Sequence, residues 1–413
     1  MRSICLLAFL ACLASSAIAG SGAGAIIQAF NTDAATEGMG SAAVAAWWHA
    51  APDPSSNPSM LGYHRGVSYH HFRSQLAVGL ADDIVITSDR LVLGHAGFGL
   101  SLQGGPLNTY LDMGEQTATD EEGNLTGTFE SYEKSEGLGL GFSTASFLRF
   151  LGPESSTINL VSRHLDVAAG VMRKSYEDAL ASDDFLQDRT GGSTKATMTD
   201  YGVLLQGSLY NSMDGPGYLP DLDRALYPVI SGWRITGAYG RSWLNWGDDM
   251  LVYPEADQAD PMPREYRKGT SLRFEIGLPG VLKDILPPLL AEALSPLVAF
   301  SKSWEERWPG YVWDEDSEEY IYEEDTSGQY NEDSGGQELT ILGVYSQREG
   351  HNTALYGDIN DDTEGWGLHL NLAGIHARYD HATVPQATGL PTVDRESWTL
   401  MVDVMEIMKR RRN

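Results

Sequence analysis

The densest group of residues that could do chemistry is an acidic run, DEDSEEYIYEEDTSGQYNEDSGGQE, at positions 314–338. Carboxylate oxygens are the ligands that Ca²⁺ prefers, and here they crowd together without a nearby Lys or Arg. One prediction is therefore a Ca²⁺ site, and its ligands would be Asp314, Asp316, Glu318, Glu323 and Asp325. The same composition is also typical of a solvated, charge-rich loop, so both interpretations stay open.

Other residue types that carry chemistry do not form recognisable groups. The ten histidines are dispersed, and His70 and His71, which are adjacent in a predicted strand, would point to opposite faces. The chain contains no H-E-x-x-H, no G-x-S-x-G and no phosphate-binding loop pattern. We therefore expect no enzyme activity, and no cofactor apart from the Ca²⁺ considered above.

Both cysteines, Cys5 and Cys12, lie in a segment that we expect to be removed. Residues 1–19 resemble a secretory signal peptide, with a charged start, an apolar run and a small-residue cleavage site, A-I-A, at 17–19. A lipoprotein signal with Cys12 as the lipidated residue is the alternative. The mature chain would contain no thiol, so a large exported protein must be held together without disulfides. A closed β-barrel in a bacterial outer membrane is one solution.

Charge and hydropathy exclude several classes of protein. The chain has 57 acidic and 28 basic residues, a formal net charge of −29 at pH 7. Nucleic acid is disfavoured as a partner, because its phosphates demand a basic surface. A membrane helix needs about 18 consecutive apolar residues. After the signal no such run occurs, since the nearest, 281–300, is interrupted by charged residues and three prolines.

The dominant pattern is alternation of apolar and polar residues in segments separated by gaps rich in Gly, Asp and Pro. The segments are 66–72, one within 75–88, 91–104, 126–145, 164–176, 198–210, 233–243, 270–278, 297–304, 339–347, 365–379 and 398–408. Alternation over about nine residues or more is typical of strands that cross a membrane, and the 19 Tyr, 10 Trp and 45 Gly suit such a wall. The sequence thus predicts an all-β fold, a transmembrane antiparallel β-barrel of about 12–14 strands.

The gaps fall into two sets if the strands alternate in direction. One set is longer and more acidic, as outside loops should be, and comprises 105–125, 178–196, 246–264, 308–337 and 381–395. The other set is shorter and comprises 147–163, 212–230, 279–295 and 349–364. Within the third of these gaps, apolar residues predict a short amphipathic helix over 280–300.

Residues 31–61 carry a resemblance to a known family. The chain reads NTDAATEGMGSAAVA from Asn31 and, after a gap, NPSML from Asn57. This resembles the opening of the PorV/PorQ-type outer-membrane proteins, relatives of the FadL long-chain fatty-acid transporters, in which a small-residue helix precedes an Asn-Pro turn. Residues 38–45 match the helix and 57–59 match the turn. The chain departs from the family at Trp47, Trp48 and His49, and in its basic C-terminal end.

The resemblance implies a barrel of about 14 strands with an N-terminal plug in its lumen. The implied divisions are a signal peptide (1–19), a plug or hatch with the Asn-Pro turn (20–62), a barrel (63–408) and a basic tail (409–413). The implied hatch or substrate contacts are Met39, Gly40, Asn57 and Pro58.

Two functions follow from the resemblance: passive transport of hydrophobic small molecules, or a surface role associated with type IX secretion. The implied partners are outer-membrane lipid and lipopolysaccharide, the barrel-assembly machinery, and either a hydrophobic small molecule or secreted cargo. The residues alone leave a further alternative, a secreted soluble β-protein that binds carbohydrate through its Trp and Tyr side chains.

Overall fold

A computed structural model describes residues 25–49, 51–79, 81, 83–119, 125–151, 162–179, 193–213, 219–248, 250–252, 259–309, 311–314, 319–322, 332–354, 359–386 and 390–412. The predicted signal peptide and both cysteines lie outside these residues. So do Asp316, Glu318, Glu323 and Asp325 of the predicted Ca²⁺ site, while Asp314 is described by its backbone alone.

The described residues form nineteen strands. They are β1 (Gly66–Gln75), β2 (Val85–His95), β3 (Phe98–Gln103), β4 (Thr109–Thr119), β5 (Leu125–Ser143), β6 (Leu165–Ala179), β7 (Ser193–Asn211), β8 (Trp233–Gly247), β9 (Met250–Val252), β10 (Ala259–Pro261), β11 (Glu265–Ile276), β12 (Val298–Pro309), β13 (Tyr311–Asp314), β14 (Glu319–Tyr322), β15 (Glu332–Ile341), β16 (Tyr345–Ala354), β17 (Ile359–Leu372), β18 (Ile375–Val384) and β19 (Val393–Val402).

The helices are short. The α-helices include Ala34–Glu37, Thr144–Leu151, Pro220–Leu226, Gly280–Ile285, Pro288–Ala293 and Val404–Arg412, and the 3₁₀ helices are Ile26–Gln28 and Pro58–Tyr63. Among the described residues, no helix has the length and apolar character needed to cross a bilayer.

Fifteen strands form one antiparallel sheet that closes on itself, because β1 pairs with both β2 and β19. β3 and β4 share one place between β2 and β5, so the wall has fourteen strand positions. The other four strands make two hairpins, β9 with β10 and β13 with β14. The prediction of a closed antiparallel barrel of about 12–14 strands is confirmed.

The outer face of the wall is apolar and its inner face is polar, which is the reverse of the arrangement in a soluble protein. Along β7, the outward residues Tyr201, Val203 and Leu205 are exposed, whereas the inward neighbours between them are buried. Inward positions around the barrel hold many buried polar residues, including Arg267, Glu338 and Arg348. An apolar outer surface around a polar interior is the arrangement of a membrane barrel.

Three segments predicted as single strands are hairpins. Residues 91–104 and 365–379 turn at Ala96-Gly97 and Ala373-Gly374, where all four residues have positive φ between 51° and 84°, as tight two-residue hairpins require. Residues 339–347 turn through the three-residue loop 342–344. A two-residue turn shifts the alternation of inward and outward residues by one position. At the first of these turns, the outward residues are therefore odd-numbered before the turn, as at Leu93, and even-numbered after it, as at Phe98. A three-residue loop leaves the alternation unchanged.

These turns also correct the assignment of the gaps to the two ends. Residues 354–359 connect β16 and β17 at the end that carries the long acidic loops, so the gap predicted over 349–364 belongs to that end. We call this the loop end. The opposite end carries the tight turns, the short helices and the chain terminus, and we call it the turn end.

Three local predictions are wrong in detail. The small-residue run 38–45 forms turns, and the α-helix is the preceding Ala34–Glu37. The helix predicted over 280–300 is two helices interrupted at Pro287, which cannot continue the first of them. The last strand ends at Val402 instead of continuing to Met408, and the chain continues as the helix Val404–Arg412.

Candidate functional site: the plugged lumen

The N-terminal segment lies inside the barrel. We call residues 25–65 the hatch, of which residue 50 is undescribed. Ala34, Ala35, Met39 and Leu61 have no exposed surface, although their neighbours along the chain form little regular structure. Burial of an irregular segment is possible only where the wall supplies partners for its backbone, since unpaired buried amides are costly.

A row of glycines lets the hatch approach the wall at backbone contact. Gly66, Gly94, Gly99, Gly141, Gly170 and Gly202 lie directly opposite one another on six consecutive wall positions. A Cβ at Gly99 would lie 2.0 Å from the carbonyl oxygen of Leu61, and one at Gly170 would lie 2.2 Å from that of Pro58. Any side chain at these two positions would therefore collide with the hatch backbone.

The glycine contacts continue on the other side of the lumen. A Cβ at Gly240 would lie 2.1 Å from the carbonyl oxygen of Val44, and one at Gly336 would lie 2.3 Å from that of Met39. At Gly350 it would lie 1.9 Å from the amide nitrogen of Gly40. The small-residue run of the hatch thus fits against small residues of the wall.

A chain of buried ion pairs runs round the inner wall on β15–β18. Arg348 Nε donates to Glu338 Oε2 at 2.6 Å, and its Nη1 lies 2.8 Å from Asp380 Oδ1. Arg378 Nε lies 2.5 Å from Asp380 Oδ2, and Arg378 Nη2 donates to Asp33 of the hatch at 2.5 Å. All of these side chains are at most 8% exposed. We call Glu338, Arg348, Asp380 and Arg378 the charge ladder.

The hatch meets the ladder at more than one place. Trp48 Nε1 donates to Glu338 Oε1 at 3.0 Å, and His49 Nε2 lies 3.2 Å from Glu338 Oε2. Trp48 and His49 thus contact the same ladder carboxylate, which helps to seat this part of the hatch.

Other wall residues bind hatch backbone and carboxylate groups. Glu305 Oε2 accepts from the amides of Ala43 and Val44, each at 2.7 Å. Arg90 pairs with Asp53, whose side chain is 4% exposed. Burial alone would raise the pKa of Asp53, but the Arg90 charge opposes it and helps to hold the pKa at about 2. Asp53 is therefore ionised at neutral pH.

His64 lies where the hatch joins the first strand. Its Nε2 lies 2.9 Å from the carbonyl oxygen of Pro52 and its Nδ1 lies 3.1 Å from Ser68 Oγ. Burial lowers the pKa of the His64 imidazole to about 4, so the ring is neutral at neutral pH. A neutral ring that donates to Pro52 and accepts from Ser68 satisfies both nitrogens.

An apolar cluster occupies the lumen towards the loop end, and we call it the vestibule. It is lined by wall residues that include Phe72, Leu76, Ile86, Leu111, Met113 and Met198. The first described residues of the hatch fill it: Ile27 is 3% exposed, and Phe30 packs against the cluster. Ile27 is held there by its amide, which donates to Glu133 Oε2 at 2.9 Å.

The wall is interrupted beside the vestibule. Between β3 and β4, residues 104–108 lie outside the paired strands of the wall. Gly104 and Leu107 form a bridge within this loop, and the carbonyl oxygen of Asn108 accepts from the amide of Asp89 on β2 at 2.9 Å. Behind this interruption lies a cavity of about 40 Å³, lined by residues that include Gln103, Thr109, Ile27 and Phe30. The interruption therefore brings the outside of the wall close to the hatch and the vestibule.

The four predicted site residues all lie in the hatch but in separate contacts. Met39 and Gly40 lie against β15 and β16, and the Gly40 amide donates to Thr363 Oγ1 at 3.0 Å. Asn57 and Pro58 lie against β6 and β7. Asn57 Oδ1 accepts from the Ser59 amide at 3.1 Å, and its Nδ2 donates to the carbonyl oxygen of Val44 at 2.8 Å.

Among the described residues, no group of three or more His, Cys, Asp or Glu side chains could hold a metal ion. Most of the predicted Ca²⁺ ligands are outside those residues, so that site stays a prediction.

No model of a known protein family matches this chain, and no curated protein sequence matches it. Similar solved structures include the CymD monoaromatic hydrocarbon channel, at 12% identity over 90% of this chain and 97% of that one, with a TM-score of 0.38. They also include the Ralstonia pickettii toluene transporter TbuX (10% identity, 90% and 96% covered, TM-score 0.37) and a Pseudomonas aeruginosa FadL homologue (10%, 90% and 98%, TM-score 0.38). Because these TM-scores are low, the architecture is assigned from the strand pairing of this chain alone.

Proposed function

We propose that this protein is a bacterial outer-membrane barrel that passively transports hydrophobic small molecules. The observation that carries the proposal is the vestibule, a large apolar cluster inside the lumen that is filled by Ile27 of the hatch. Binding pockets for small apolar ligands are lined in this way, with a few polar groups at the edge. A hydrophobic solute would take the place of the Ile27 side chain, and Met39, Gly40, Asn57 and Pro58 would keep the rest of the hatch seated.

The way out of the vestibule follows from how the hatch is held. Glycine contacts and buried ion pairs fix residues 33–64 on several sides, so passage straight along the lumen would require these contacts to break. The wall interruption at 104–108 lies beside the small cavity that Ile27 and Phe30 line. We propose that the solute leaves the lumen there.

Uptake by proteoliposomes tests the proposal. Vesicles that contain the mature protein should take up a fluorescent fatty acid faster than empty vesicles. A Leu111→Asn substitution places an amide in the vestibule and should slow uptake by about tenfold, the equivalent of about 1.4 kcal/mol in binding. Leu125→Asn is the matched control, because Leu125 is 66% exposed, and it should leave uptake unchanged.

The alternative functions predict different outcomes in these experiments. If the chain is instead a PorV/PorQ-type protein with a role in type IX secretion, vesicles should show no uptake and secreted cargo should co-purify with the barrel. That outcome would reject the transporter. A soluble carbohydrate-binding protein is disfavoured by the exposed apolar outer surface, and it would remain in solution without detergent, whereas a membrane barrel would pellet with outer membranes.

A further inference from the structure

The apolar band on the outside of the wall is uneven. On β7 it extends from Tyr201 to Leu209, with further outward apolar residues at 203 and 205. On β19 it extends only from Trp398 to Val402, because the next outward residue is the exposed Glu396. With about 3.4 Å per residue and a tilt of about 40°, the band is about 20 Å high at β7 and about 10 Å at β19, against about 25 Å in membrane barrels.

The C-terminal helix, Val404–Arg412, lies at the turn end of this thin sector. The Asp403 amide donates to the carbonyl oxygen of Gly374 at 2.7 Å, and Asp403 Oδ1 accepts from the Glu406 amide at 3.0 Å. Arg410 pairs with Glu406 at 2.7 Å and also with Glu292 of a neighbouring short helix. The helix is thus fixed to the rim of the barrel.

One face of the helix is apolar and open. Val404, Met405 and Met408 are 47%, 45% and 45% exposed. Val404 and Met405 also line a groove of about 800 Å³ on the outside of the wall. The other walls of this groove are outward residues of the apolar band, including Val67, Leu93, Phe98 and Leu140. The helix face is therefore continuous with the surface that meets lipid.

The helix ends in four consecutive basic residues, Lys409, Arg410, Arg411 and Arg412, in a chain whose net charge is −29. A basic helix with an open apolar face is typical of segments that lie in the membrane interface. We propose that this helix and groove bind an anionic phospholipid, with an acyl chain in the groove and the phosphate at residues 409–412. The inference depends on the membrane location in the proposed function. The helix would supply apolar height where the strands fall short, which reduces the cost of hydrophobic mismatch.

Fluorescence quenching in vesicles tests this inference on the full mature chain, in which a single introduced cysteine can be labelled. Met405→Cys reports on the helix, and Leu370→Cys, at an exposed position of the band, reports on insertion of the barrel. Both would carry an environment-sensitive dye, quenched by spin-labelled lipid. In vesicles of phosphatidylcholine with phosphatidylglycerol we expect both dyes to be quenched. In phosphatidylcholine alone, quenching at residue 405 should fall by about twofold or more, because basic residues are attracted to an anionic surface.

A charge variant provides the matched control. Replacing Lys409, Arg411 and Arg412 by Gln keeps the Arg410 contacts and should remove the response of the helix dye to phosphatidylglycerol. Quenching at 370 without quenching at 405 would overturn the inference and leave the membrane barrel intact. If quenching at 405 is the same with and without phosphatidylglycerol, and is also unchanged in the charge variant, the proposed recognition of the phosphate would be overturned. Loss of quenching at both positions would contradict the proposed membrane location as well.

Discussion

Two sectors of the wall hold the same hatch by different means. From β2 to β7 the contact is made mainly by shape, because a row of glycines brings the hatch backbone against the wall backbone, and Arg90 on β2 adds a buried ion pair with Asp53. From β15 to β18 two glycines do the same, but the charge ladder adds buried ion pairs that reach Asp33 and contact Trp48 and His49. The glycine row leaves no space for an added side-chain atom. An ion pair can adjust to small movements, but it is lost when one of its two partners is removed.

This difference predicts how each sector should fail. A bulky residue in the glycine row should displace the hatch and open the lumen, even though the barrel folds. A lost charge in the ladder should destabilise the protein, because each buried charge that faced it loses one of its partners. The first effect is one of permeability and the second is one of stability.

The largest effect is expected from Gly99→Leu in the glycine row. The new side chain would begin 2.0 Å from the Leu61 carbonyl oxygen, so the hatch should not seat and the lumen should conduct ions. Planar-bilayer recordings should show a conductance well above that of the original chain. Gly237→Ala is the control, since the nearest atom to its Cβ would be 3.7 Å away. A sealed lumen in Gly99→Leu would show that the glycine row does not seat the hatch.

Asp380→Asn should produce the next largest effect. Asp380 is fully buried and faces Arg348 and Arg378, so neutralising it leaves two guanidinium groups short of a partner. The free energy of unfolding should fall by about 3–5 kcal/mol. Urea unfolding of the protein in lipid vesicles would measure it.

The control for Asp380→Asn is an exposed ion pair on two neighbouring strands of the wall. Lys268 and Glu306 are 2.7 Å apart, with side chains 38% and 42% exposed. Glu306→Gln should therefore change the free energy of unfolding by less than about 1 kcal/mol. Equal effects of Asp380→Asn and Glu306→Gln would remove the distinction between the ladder and an ordinary surface pair.

Acid should act on the hatch through His64. Its pKa is about 4 in the folded protein and about 6.5 in the unfolded chain. As the pH falls through this interval, the unfolded chain binds a proton that the folded protein excludes, so stability declines by about 3 kcal/mol by pH 4. His64→Gln should remove this part of the pH dependence, measured by unfolding at several pH values. An unchanged pH dependence in His64→Gln would contradict this assignment.

The smallest effect is expected at the Asn57 turn. Asn57→Ala removes the acceptor for the Ser59 amide and the donor to Val44, which should cost about 1–2 kcal/mol of unfolding free energy. Asn57→Ser keeps an oxygen acceptor for the Ser59 amide and should recover part of the loss. Asn108→Ala, which loses an exposed bond to the Gly105 carbonyl, should cost less than about 0.5 kcal/mol. If Asn57→Ala costs no more than Asn108→Ala, the turn does not anchor the hatch.

Much of the barrel could be predicted from the sequence, because period-2 alternation is a local property. The hairpins at Ala96-Gly97 and Ala373-Gly374 could also have been found, since bulky outward residues shift by one position there, from Leu93 to Phe98 and from Leu372 to Ile375. The loop 342–344 leaves no such mark, because three residues preserve the alternation.

The site was less accessible from the sequence. Asn57 and Pro58 were found through a short local pattern, but the vestibule and the charge ladder depend on pairing between distant strands. Asp33 and Arg378 are 345 positions apart. Of these features, only the glycine row is visible in the sequence, because a glycine recurs in successive alternating segments. Glycine at such positions indicates the close approach of another backbone.

We propose that the hatch closes the lumen to water while the vestibule passes apolar solutes. The most direct test follows both processes in the same proteoliposomes: release of a trapped hydrophilic dye and uptake of a fluorescent fatty acid. We predict uptake without release of the dye, and release in Gly99→Leu alone. Dye release from the original chain at a rate matching uptake would contradict the account, as would retention of dye without any uptake.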